Sequence, residues 1–360
     1  MNIHLATYWR SLASGKRTGL LAMVVLIVLI PLSQFYALLQ RLRAGLYRAG
    51  VLKTVRLRRP VISVGNVTVG GTGKTPVTAY IARLLIAQGA RVVVLSRGYG
   101  GSCEGQTIVV SDGSTLFLSA GEGGDEPFLL ASTIPGLMVV IGPDRYTAGL
   151  LALEHLKPDV FLLDDGFQHL RLHRDLNILL LDYARPFGNG WALPAGLLRE
   201  PKRAARRADL VIQTRTPEGS GVAAVPDRPL CSARHLLSDV IPLAGGEPLS
   251  FTALHGKKLL AFAGIAEPEG FFEGLRQHGL TLAAVIAFPD HVSYGEGTIA
   301  TIKEAFSSSG ADVLITTEKD GVKLKNLPQE LSAKTMLARL EVTLDDSTVL
   351  TALLRNLLQK

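Results

Sequence analysis

The segment GNVTVGGTGKTP, at residues 65–76, constrains the fold of this chain more strongly than any other part of the sequence. It follows an apolar run at residues 61–64 and precedes a stretch at residues 75–88 with the composition of a helix. A strand that passes through a glycine-rich turn into a helix presents backbone N–H groups and the positive helix end at one place. That arrangement binds polyphosphate, so the sequence predicts a P-loop directly after a buried strand.

The residues of this loop have expected roles in binding ATP. Lys74 is expected to reach the β- and γ-phosphates, and Thr75 is expected to offer its hydroxyl to Mg²⁺. The strict pattern G-x-x-x-x-G-K-[ST] requires glycine where Thr68 stands, so the loop is a deviant P-loop. A glycine-rich turn with an incidental lysine is the alternative. The nucleotide-binding residues expected in the loop are Gly70, Gly71, Thr72, Gly73, Lys74 and Thr75.

Short apolar runs alternate with helical stretches after Pro60, which predicts an α/β fold with a doubly wound parallel sheet of the P-loop NTPase type. The expected strands of this core are residues 61–64, 92–95, 137–141, 160–163, 178–181 and 210–213, with helices such as residues 75–88 and 146–156. After a stretch rich in Pro, Gly and Ser, the alternation resumes in a second, smaller α/β domain. Its expected strands are residues 259–263, 282–288, 313–316 and 336–340, with helices at residues 268–278 and 297–307.

The predicted organisation therefore has four parts. Residues 1–59 form an amino-terminal membrane-associated helix with a basic flank, and residues 60–215 form the P-loop core. Residues 216–250 form a linker. Residues 251–360 form the smaller α/β domain, which is expected to close over the site.

The amino-terminal part combines positive charge with an apolar run. The first 60 residues hold ten Lys and Arg and no Asp or Glu, whereas the remaining 300 hold 28 basic and 31 acidic residues. Because the basic residues bracket the apolar residues 20–32, an anionic lipid surface is a better partner for them than nucleic acid. Cys103 and Cys231 have no metal-ligand spacing, which fits a reducing compartment such as the cytosol.

The apolar run is thirteen residues long, which is shorter than the roughly 20 residues of a membrane-spanning helix. Pro31 and Gln34 interrupt any longer uncharged stretch. We therefore expect a helix that lies in the membrane interface, with its Arg and Lys side chains against lipid headgroups. A true span, a buried core helix and a cleaved signal peptide are the alternatives.

Carboxylates follow another predicted strand. The sequence VFLLDD places Asp164 and Asp165 after four apolar residues, as in the Walker B strand that supplies the metal-side acid of a P-loop enzyme. The continuation GFQHLRLHRD, at residues 166–175, concentrates polar groups past the end of that strand, where doubly wound sheets bind ligands.

Four more segments carry candidate site residues. GEGGDEP places Asp125 in a glycine-rich loop, where a carboxylate can meet a substrate hydroxyl or can form an ordinary solvated turn. LREP contains a charged pair, Arg199 and Glu200, and FPDHVSY contains His291. TTEKD, at residues 316–320, lacks the spacing of a purine-reading motif.

Taken together, GNVTVGGTGKTP, SRGYG, GDEP, DDGFQH, LREP, FPDH and TTEKD, in this order, resemble the tetraacyldisaccharide 4′-kinase family of Gram-negative bacteria. The resemblance runs from the amino-terminal helix to about Lys323. It implies ATP and Mg²⁺, a tetraacylated glucosamine disaccharide 1-phosphate as phosphoryl acceptor, and a location on the cytoplasmic face of the inner membrane.

The resemblance also implies roles for individual residues. Lys74, Asp125 and His291 would be catalytic, with Asp125 as base and His291 as its imidazole partner in a dyad that joins the two domains. The implied metal-side residues are Thr75, Asp164, Asp165 and Glu200. The other implied nucleotide-site residues, whose roles are less defined, are Tyr99, Arg145, Gln168, His169 and Arg199.

Two other functions fit parts of the sequence. A membrane-associated P-loop NTPase switch or metal-insertion ATPase would use the same GGTGKT loop and act on a protein partner. A membrane scaffold without enzymatic activity could keep the fold, although it would be expected to lose Lys74 or the acids, and these are present.

Overall fold

The computed structural model describes residues 3–15, 17–222 and 224–359, so residues 1, 2 and 16 of the predicted anchor, residue 223 of the predicted linker and residue 360 lie outside the described residues. The helices are α1 (Ile3–Ala13), α2 (Leu20–Arg48), α3 (Lys74–Ala87), α4 (Ala120–Gly123), α5 (Asp125–Thr133), α6 (Arg145–His155), α7 (Pro268–Gln277), α8 (Glu296–Ser309), α9 (Glu318–Gly321), α10 (Gln329–Ser332) and α11 (Thr348–Leu358). The strands are β1 (Val61–Asn66), β2 (Val92–Ser96), β3 (Ile108–Asp112), β4 (Met138–Ile141), β5 (Val160–Asp164), β6 (Leu176–Asp182), β7 (Leu210–Thr214), β8 (Leu230–Pro242), β9 (Lys258–Ala263), β10 (Thr281–Ala287), β11 (Val313–Thr317) and β12 (Thr335–Leu344). Each expected strand and helix is present, with ends close to those predicted.

The chain folds into two compact units. The first unit consists of the residues up to Ser96, residues 144–234 and the residues from Leu344 onward. The second consists of residues 97–143 and 235–343. Each unit is therefore assembled from separate stretches of the chain.

The first unit contains the parallel sheet that the sequence predicts. Its strands lie in the order β7-β6-β1-β5-β2, with β1 between β5 and β6. All residues of β1, β2, β5 and β7 are buried, as expected for parallel strands that are covered on both faces. The carboxyl end of β1 therefore lies between the carboxyl ends of β5 and β6, and the P-loop starts there.

The second unit is built around β9, which pairs in parallel with β10 and β11. Leu259, Ala261 and Ala263 pack in one apolar cluster with α7, whereas the alternate residues Leu260 and Phe262 pack in another with α8. Because successive strand residues point to opposite faces, β9 is covered on both sides. This unit is the smaller α/β fold that the sequence predicts, and it also contains the antiparallel pair of β3 and β4.

The division of the chain differs from the predicted domain boundaries. Residues 97–143, expected in the P-loop core, belong to the second unit, and α11 belongs to the first, where Leu350, Leu354 and Leu357 are buried. The predicted linker at residues 216–250 is corrected, because it contains the 13-residue strand β8. Buried and exposed residues are interspersed in β8, so it lacks the continuous apolar run that identifies a buried strand in a sequence.

Helix α2 is longer than the apolar run suggested. It extends over 29 residues and passes through Pro31 without ending. Its second half is attached to the first unit, since the Ser33 hydroxyl donates to the carbonyl of Ala192 at 2.7 Å and the Tyr36 hydroxyl to that of Arg199 at 3.0 Å. These contacts help to hold the helix beyond the proline, which removes a single intrahelical hydrogen bond.

The first half of α2 exposes its large apolar side chains. Leu20, Leu21, Ile27 and Val28 each expose more than 60% of their surface. By length and composition α2 is sufficient to cross a membrane, so a true span stays open beside the predicted interfacial helix.

Candidate active site

The P-loop in the first unit is cross-braced by side chains. The Asn66 side-chain amide, at the end of β1, donates to the hydroxyl of Thr72 at 2.8 Å and more weakly to that of Thr68 at 3.4 Å. Gly73 has a φ of 74°, the left-handed conformation that favours glycine, and α3 begins immediately after it at Lys74. The first turn of α3 has no acidic residue and no side-chain cap. Its amino terminus can therefore bind an anion.

The backbone pairs the P-loop with the LREP segment. Val69 N–H donates to the carbonyl of Leu197 at 2.7 Å, and Arg199 N–H donates to that of Val67 at 2.8 Å. Thr68 forms an isolated bridge with Leu198 between these two bonds. Thr68 therefore has a paired backbone with no positive φ, so this position needs no glycine and its departure from the strict P-loop pattern has a structural explanation.

Asp164 and Asp165 are located at the end of β5. Asp164 is buried and accepts a hydrogen bond from the Thr78 hydroxyl of α3 at 3.2 Å. Asp165 Oδ2 lies 2.7 Å from Arg199 Nη1, and Asp165 Oδ1 lies 3.9 Å from Lys74 Nζ. Burial opposes ionisation of Asp165, but the charges of Lys74 and Arg199 outweigh it and hold its pKa below the ordinary value. The structure thus places a carboxylate beside the P-loop lysine.

The residues fit a magnesium ion that takes further ligands from a nucleotide. Asp165 Oδ1 is buried and accepts no hydrogen bond, and Thr75 lies in the first turn of α3. Glu200 is instead paired with Arg207 at 2.5 Å. Among the described residues, no group of three or more His, Cys, Asp and Glu side chains is placed to hold a metal. The implied set of three acids is therefore not assembled, although Mg²⁺ needs only one or two carboxylates when phosphates supply the rest.

Gln168, His169 and Arg145 belong to this same side of the first unit. The Gln168 side-chain amide donates to the carbonyl of Asn66 at 2.6 Å, and its oxygen accepts from Arg199 at 3.4 Å. Arg145 is buried at the start of α6 and contributes to the low pKa of Asp165. Burial and the positive charge of Arg145 also lower the pKa of His169 to about 4. His169 is therefore neutral at neutral pH in this structure.

Replacement of His169 by glutamine is expected to reduce the acid sensitivity of folding. Because the folded-state pKa is depressed, the unfolded chain binds the proton first, and stability falls as pH decreases from about 6.5 to about 4. We expect His169→Gln to recover about 1–3 kcal/mol of the unfolding free energy lost over that window, with little effect above it. Denaturant unfolding at about pH 4.5 and pH 7.5 measures this, and the matched control is the exposed His155→Gln. Equal losses of unfolding free energy in the wild type and His169→Gln would contradict this prediction.

Sequence reasoning missed Arg215. Its guanidinium donates to the carbonyl of Gly71 in the P-loop at 2.6 Å, and its Nε lies 2.7 Å from Asp182 Oδ2. Arg215 directly follows β7, so its position after a predicted strand could have identified it as a candidate site residue in the sequence. Helix α2 also reaches the site, because Arg43 donates to the carbonyl of Gln168 at 3.3 Å. This arginine, expected against lipid headgroups, has a protein partner.

The second unit contains the Asp125 and His291 pair. His291 Nδ1 lies 3.5 Å from Asp125 Oδ2, and His291 Nε2 lies 3.8 Å from Asp290 Oδ1. The ring of Tyr99 is edge-on to that of His291, with 5.5 Å between ring centroids. Gly124, with a φ of 90°, lies so close to Tyr99 that a Cβ on it would be 2.9 Å from the Tyr99 carbonyl oxygen. Gly124 of GDEP, which has no Cβ, thus allows this segment to contact Tyr99 of SRGYG.

The sequence suggested that this pair joins two domains, but it does not. Asp125 and His291 both belong to the second unit, because residues 97–143 pack with the carboxyl-terminal half of the chain. Burial opposes ionisation of Asp125, but the adjoining His291 ring and the nearby Lys323 and Lys319 lower its pKa below the ordinary value. The Asp125 side chain is thus an ionised carboxylate that can accept a proton or a hydrogen bond.

Comparisons with known proteins cover nearly the whole chain. The family model for tetraacyldisaccharide-1-P 4′-kinase matches residues 25–359. The tetraacyldisaccharide 4′-kinase of Pelobacter propionicus is 62% identical over 100% of both chains, and that of Geobacter sulfurreducens is 59% identical over 88% of this chain and 89% of its own. The fold is similar to a crystal structure of LpxK from Aquifex aeolicus in complex with ATP, with a TM-score of 0.80 and a sequence identity of 36%. This match covers 93% of this chain and 99% of that one.

Proposed function

The chain belongs to the tetraacyldisaccharide 4′-kinase family, and we infer from this premise that it transfers the γ-phosphate of ATP to the 4′-hydroxyl of a tetraacylated glucosamine disaccharide 1-phosphate. The observation that carries the inference is the uncapped amino terminus of α3, with Lys74 as its first residue and Asp165 beside it. A related chain of the same fold binds ATP, which agrees with a nucleotide at this loop.

In the first unit, the residues would align ATP and neutralise its charge. Phosphoryl transfer depends on positioning and electrostatics more than on covalent chemistry of the protein. The backbone N–H groups at the start of α3 and the Lys74 ammonium would bind the phosphates. Thr75 and Asp165 would hold Mg²⁺, which supplies further neutralisation of phosphate charge. Arg199 would keep the Asp165 carboxylate ionised and oriented.

In the second unit, Asp125 would accept the proton of the attacking sugar hydroxyl. The neighbouring His291 would orient the carboxylate and share the proton. Transfer requires a conformation in which the P-loop residues and this pair act on the same phosphoryl group. Domain closure on binding of both substrates would meet that requirement and would limit hydrolysis of ATP by water.

A lipid phosphorylation assay tests this function. Purified protein, ATP, Mg²⁺ and the tetraacylated disaccharide 1-phosphate should yield a lipid product that is heavier by one phosphate. The alternative is a membrane-associated P-loop NTPase switch, which would hydrolyse ATP without the lipid and respond to a protein partner. No phosphorylated lipid, together with ATP hydrolysis that a protein stimulates, would favour that alternative.

We further propose that the protein acts at the cytoplasmic face of the bacterial inner membrane, attached through α2. The acyl chains of the substrate would stay in the bilayer, while the basic amino-terminal part meets anionic headgroups. Contacts of Tyr36 and Arg43 with the LREP and DDGFQH segments would hold the membrane-bound helix next to the nucleotide side of the site.

Serine substitutions on the exposed face of α2 are expected to weaken membrane binding. Changing Leu21, Val24, Ile27 and Val28 to Ser removes apolar area that a bilayer would bury, so vesicle affinity should fall at least ~100-fold. Vesicle flotation measures the change, and ATP binding should remain. The matched control changes exposed apolar residues of the second unit to Ser, namely Leu236, Leu249, Val285 and Leu340. Equal flotation of both variants would contradict the proposed attachment.

A further inference from the structure

The TTEKD segment contributes no residue to the chemistry of the proposed reaction, yet its residues reach the Asp125 and His291 pair. It contains the last residues of β11 and the start of α9. Asp320 is fully buried and accepts hydrogen bonds from Gly264 N–H and the Thr317 hydroxyl, both at 2.9 Å. Thr317 in turn accepts from Asp320 N–H at 3.1 Å. The carboxylate of Asp320 is therefore held rigidly at the end of β11.

Asp320 anchors Lys323, which contacts Asp125. Lys323 Nζ lies 3.0 Å from Asp320 Oδ1 and 3.5 Å from Asp125 Oδ2, and it donates to the carbonyl of Val292 at 3.2 Å. Only 9% of the Lys323 side chain is exposed. A buried ammonium with these partners connects the first turn of α5 to the residue that follows His291.

Lys319 makes a parallel connection one turn earlier. Its Nζ lies 3.0 Å from Glu126 Oε1 and 3.6 Å from Asp290 Oδ1. Glu126 follows Asp125 in the chain, and Asp290 precedes His291. Each lysine thus bonds to the amino-terminal turn of α5 and to the loop that carries His291.

The charges around Asp125 are arranged to keep it ionised. The ionisable groups that influence or border it are His291, Lys323, Lys319 and Tyr294, with Glu126, Asp290 and Asp320 balancing the lysines. Burial lowers the proton affinity of Lys319, but Glu126 and Asp290 outweigh it and raise its pKa. Burial and Asp320 raise the pKa of Tyr294 far above its ordinary value, so the phenol stays neutral. A buried ammonium is stable only with such partners.

We propose that Lys319 and Lys323 are positioning residues for the phosphoryl-acceptor side of the site: together they hold Asp125 and the His291 loop in one arrangement, with Asp320 as the buried anchor of Lys323. The proposal rests on the proposed kinase function. The TTEKD segment, which lacks the spacing of a purine-reading motif, thereby has a structural role on the acceptor side.

The pH dependence of kcat tests Lys323. Loss of its charge in Lys323→Met should move the acidic limb of the profile to higher pH by about one unit, because an opposite charge at this distance lowers a carboxyl pKa by at least that amount. Turnover near neutral pH should fall roughly 10-fold through misplacement of Asp125. The KM for ATP should not change. Lys323→Arg should keep the limb in place, and the exposed Lys303→Met is the matched control.

A second measurement tests the role of Lys323 independently of lipid phosphorylation. The ¹³C carboxyl shift of Asp125, assigned with Asp125→Asn, can be titrated in the wild type and Lys323→Met without any lipid substrate. Absence of lipid phosphorylation by the wild type would refute the kinase function, while the titration would still decide the role of Lys323.

Lys319→Met is the second variant, for the case that Lys323→Met does not fold. Lys319 exposes 19% of its side chain, compared with 9% for Lys323, so its replacement should disturb packing less. It should shift the Asp125 titration and the acidic limb in the same direction. Unchanged titrations and limbs in the folded variants, at melting temperatures near that of the wild type, would overturn the proposal.

Discussion

Lys74→Met is expected to lower phosphoryl transfer by about 10²- to 10³-fold, the usual loss when one positioned donor to a developing charge is removed. Lys74 is the first residue of α3, and only 14% of its side chain is exposed. Its ammonium lies 3.9 Å from Asp165 Oδ1 and so faces the end of β5. Methionine keeps most of the apolar stem and removes the charge, so the loss reports electrostatics more than packing.

Single-turnover transfer of labelled γ-phosphate measures this loss, alongside melting temperature. The matched control is Lys303→Met on α8, an exposed lysine of the second unit. The variant should also raise the pKa of Asp165, because Lys74 is the first of the charges that lower it, while Arg199 and Arg145 stay in place. Transfer within a few-fold of wild type would show that the Lys74 ammonium does not neutralise the charge of the reacting phosphate.

Asp125→Asn and His291→Asn are each expected to reduce turnover by about 10²- to 10⁴-fold, the range for loss of general acid–base catalysis. The nearest atoms of the two side chains, His291 Nδ1 and Asp125 Oδ2, are 3.5 Å apart, so the pair can act as one unit. Groups that act as a unit give non-additive losses. The double variant should therefore lose little more than the more damaging single variant.

Steady-state kinetics with the lipid substrate and direct ATP-binding measurements separate the effects. ATP affinity should persist in all three variants, since neither residue belongs to the P-loop unit. Exposed Glu330→Gln is the control for removal of a carboxylate from the second unit. Losses that add fully, or near-wild-type turnover in both single variants, would remove the pair from the mechanism.

Local sequence patterns predicted much of the fold and one half of the candidate site. The apolar run at residues 61–64 became β1, and the glycine-rich turn placed Lys74 at the start of α3. The acid at the end of an apolar run became Asp164 at the end of β5. These features are local, because the type of an element follows from the periodicity of burial along a few residues.

Other features required the folded chain. Pro31 suggested a break, yet α2 continues because Ser33 and Tyr36 bond to distant backbone carbonyls. Glu200 followed Arg199 as a candidate metal ligand, but it pairs with Arg207. Strand β8 has no apolar run that would reveal it, and residues 97–143 join the second unit.

The sequence by itself therefore determined most of the strands and helices of the two α/β folds, the glycine-rich turn between β1 and α3, and the family. Only the tertiary structure decided that Asp125 and His291 share one unit and that Lys319 and Lys323 of the TTEKD region lie against them. The physical reason is that Asp125 and His291 are more than one hundred residues apart in the chain. Contacts at that separation depend on which strands pair and how helices pack, and local periodicity does not encode either.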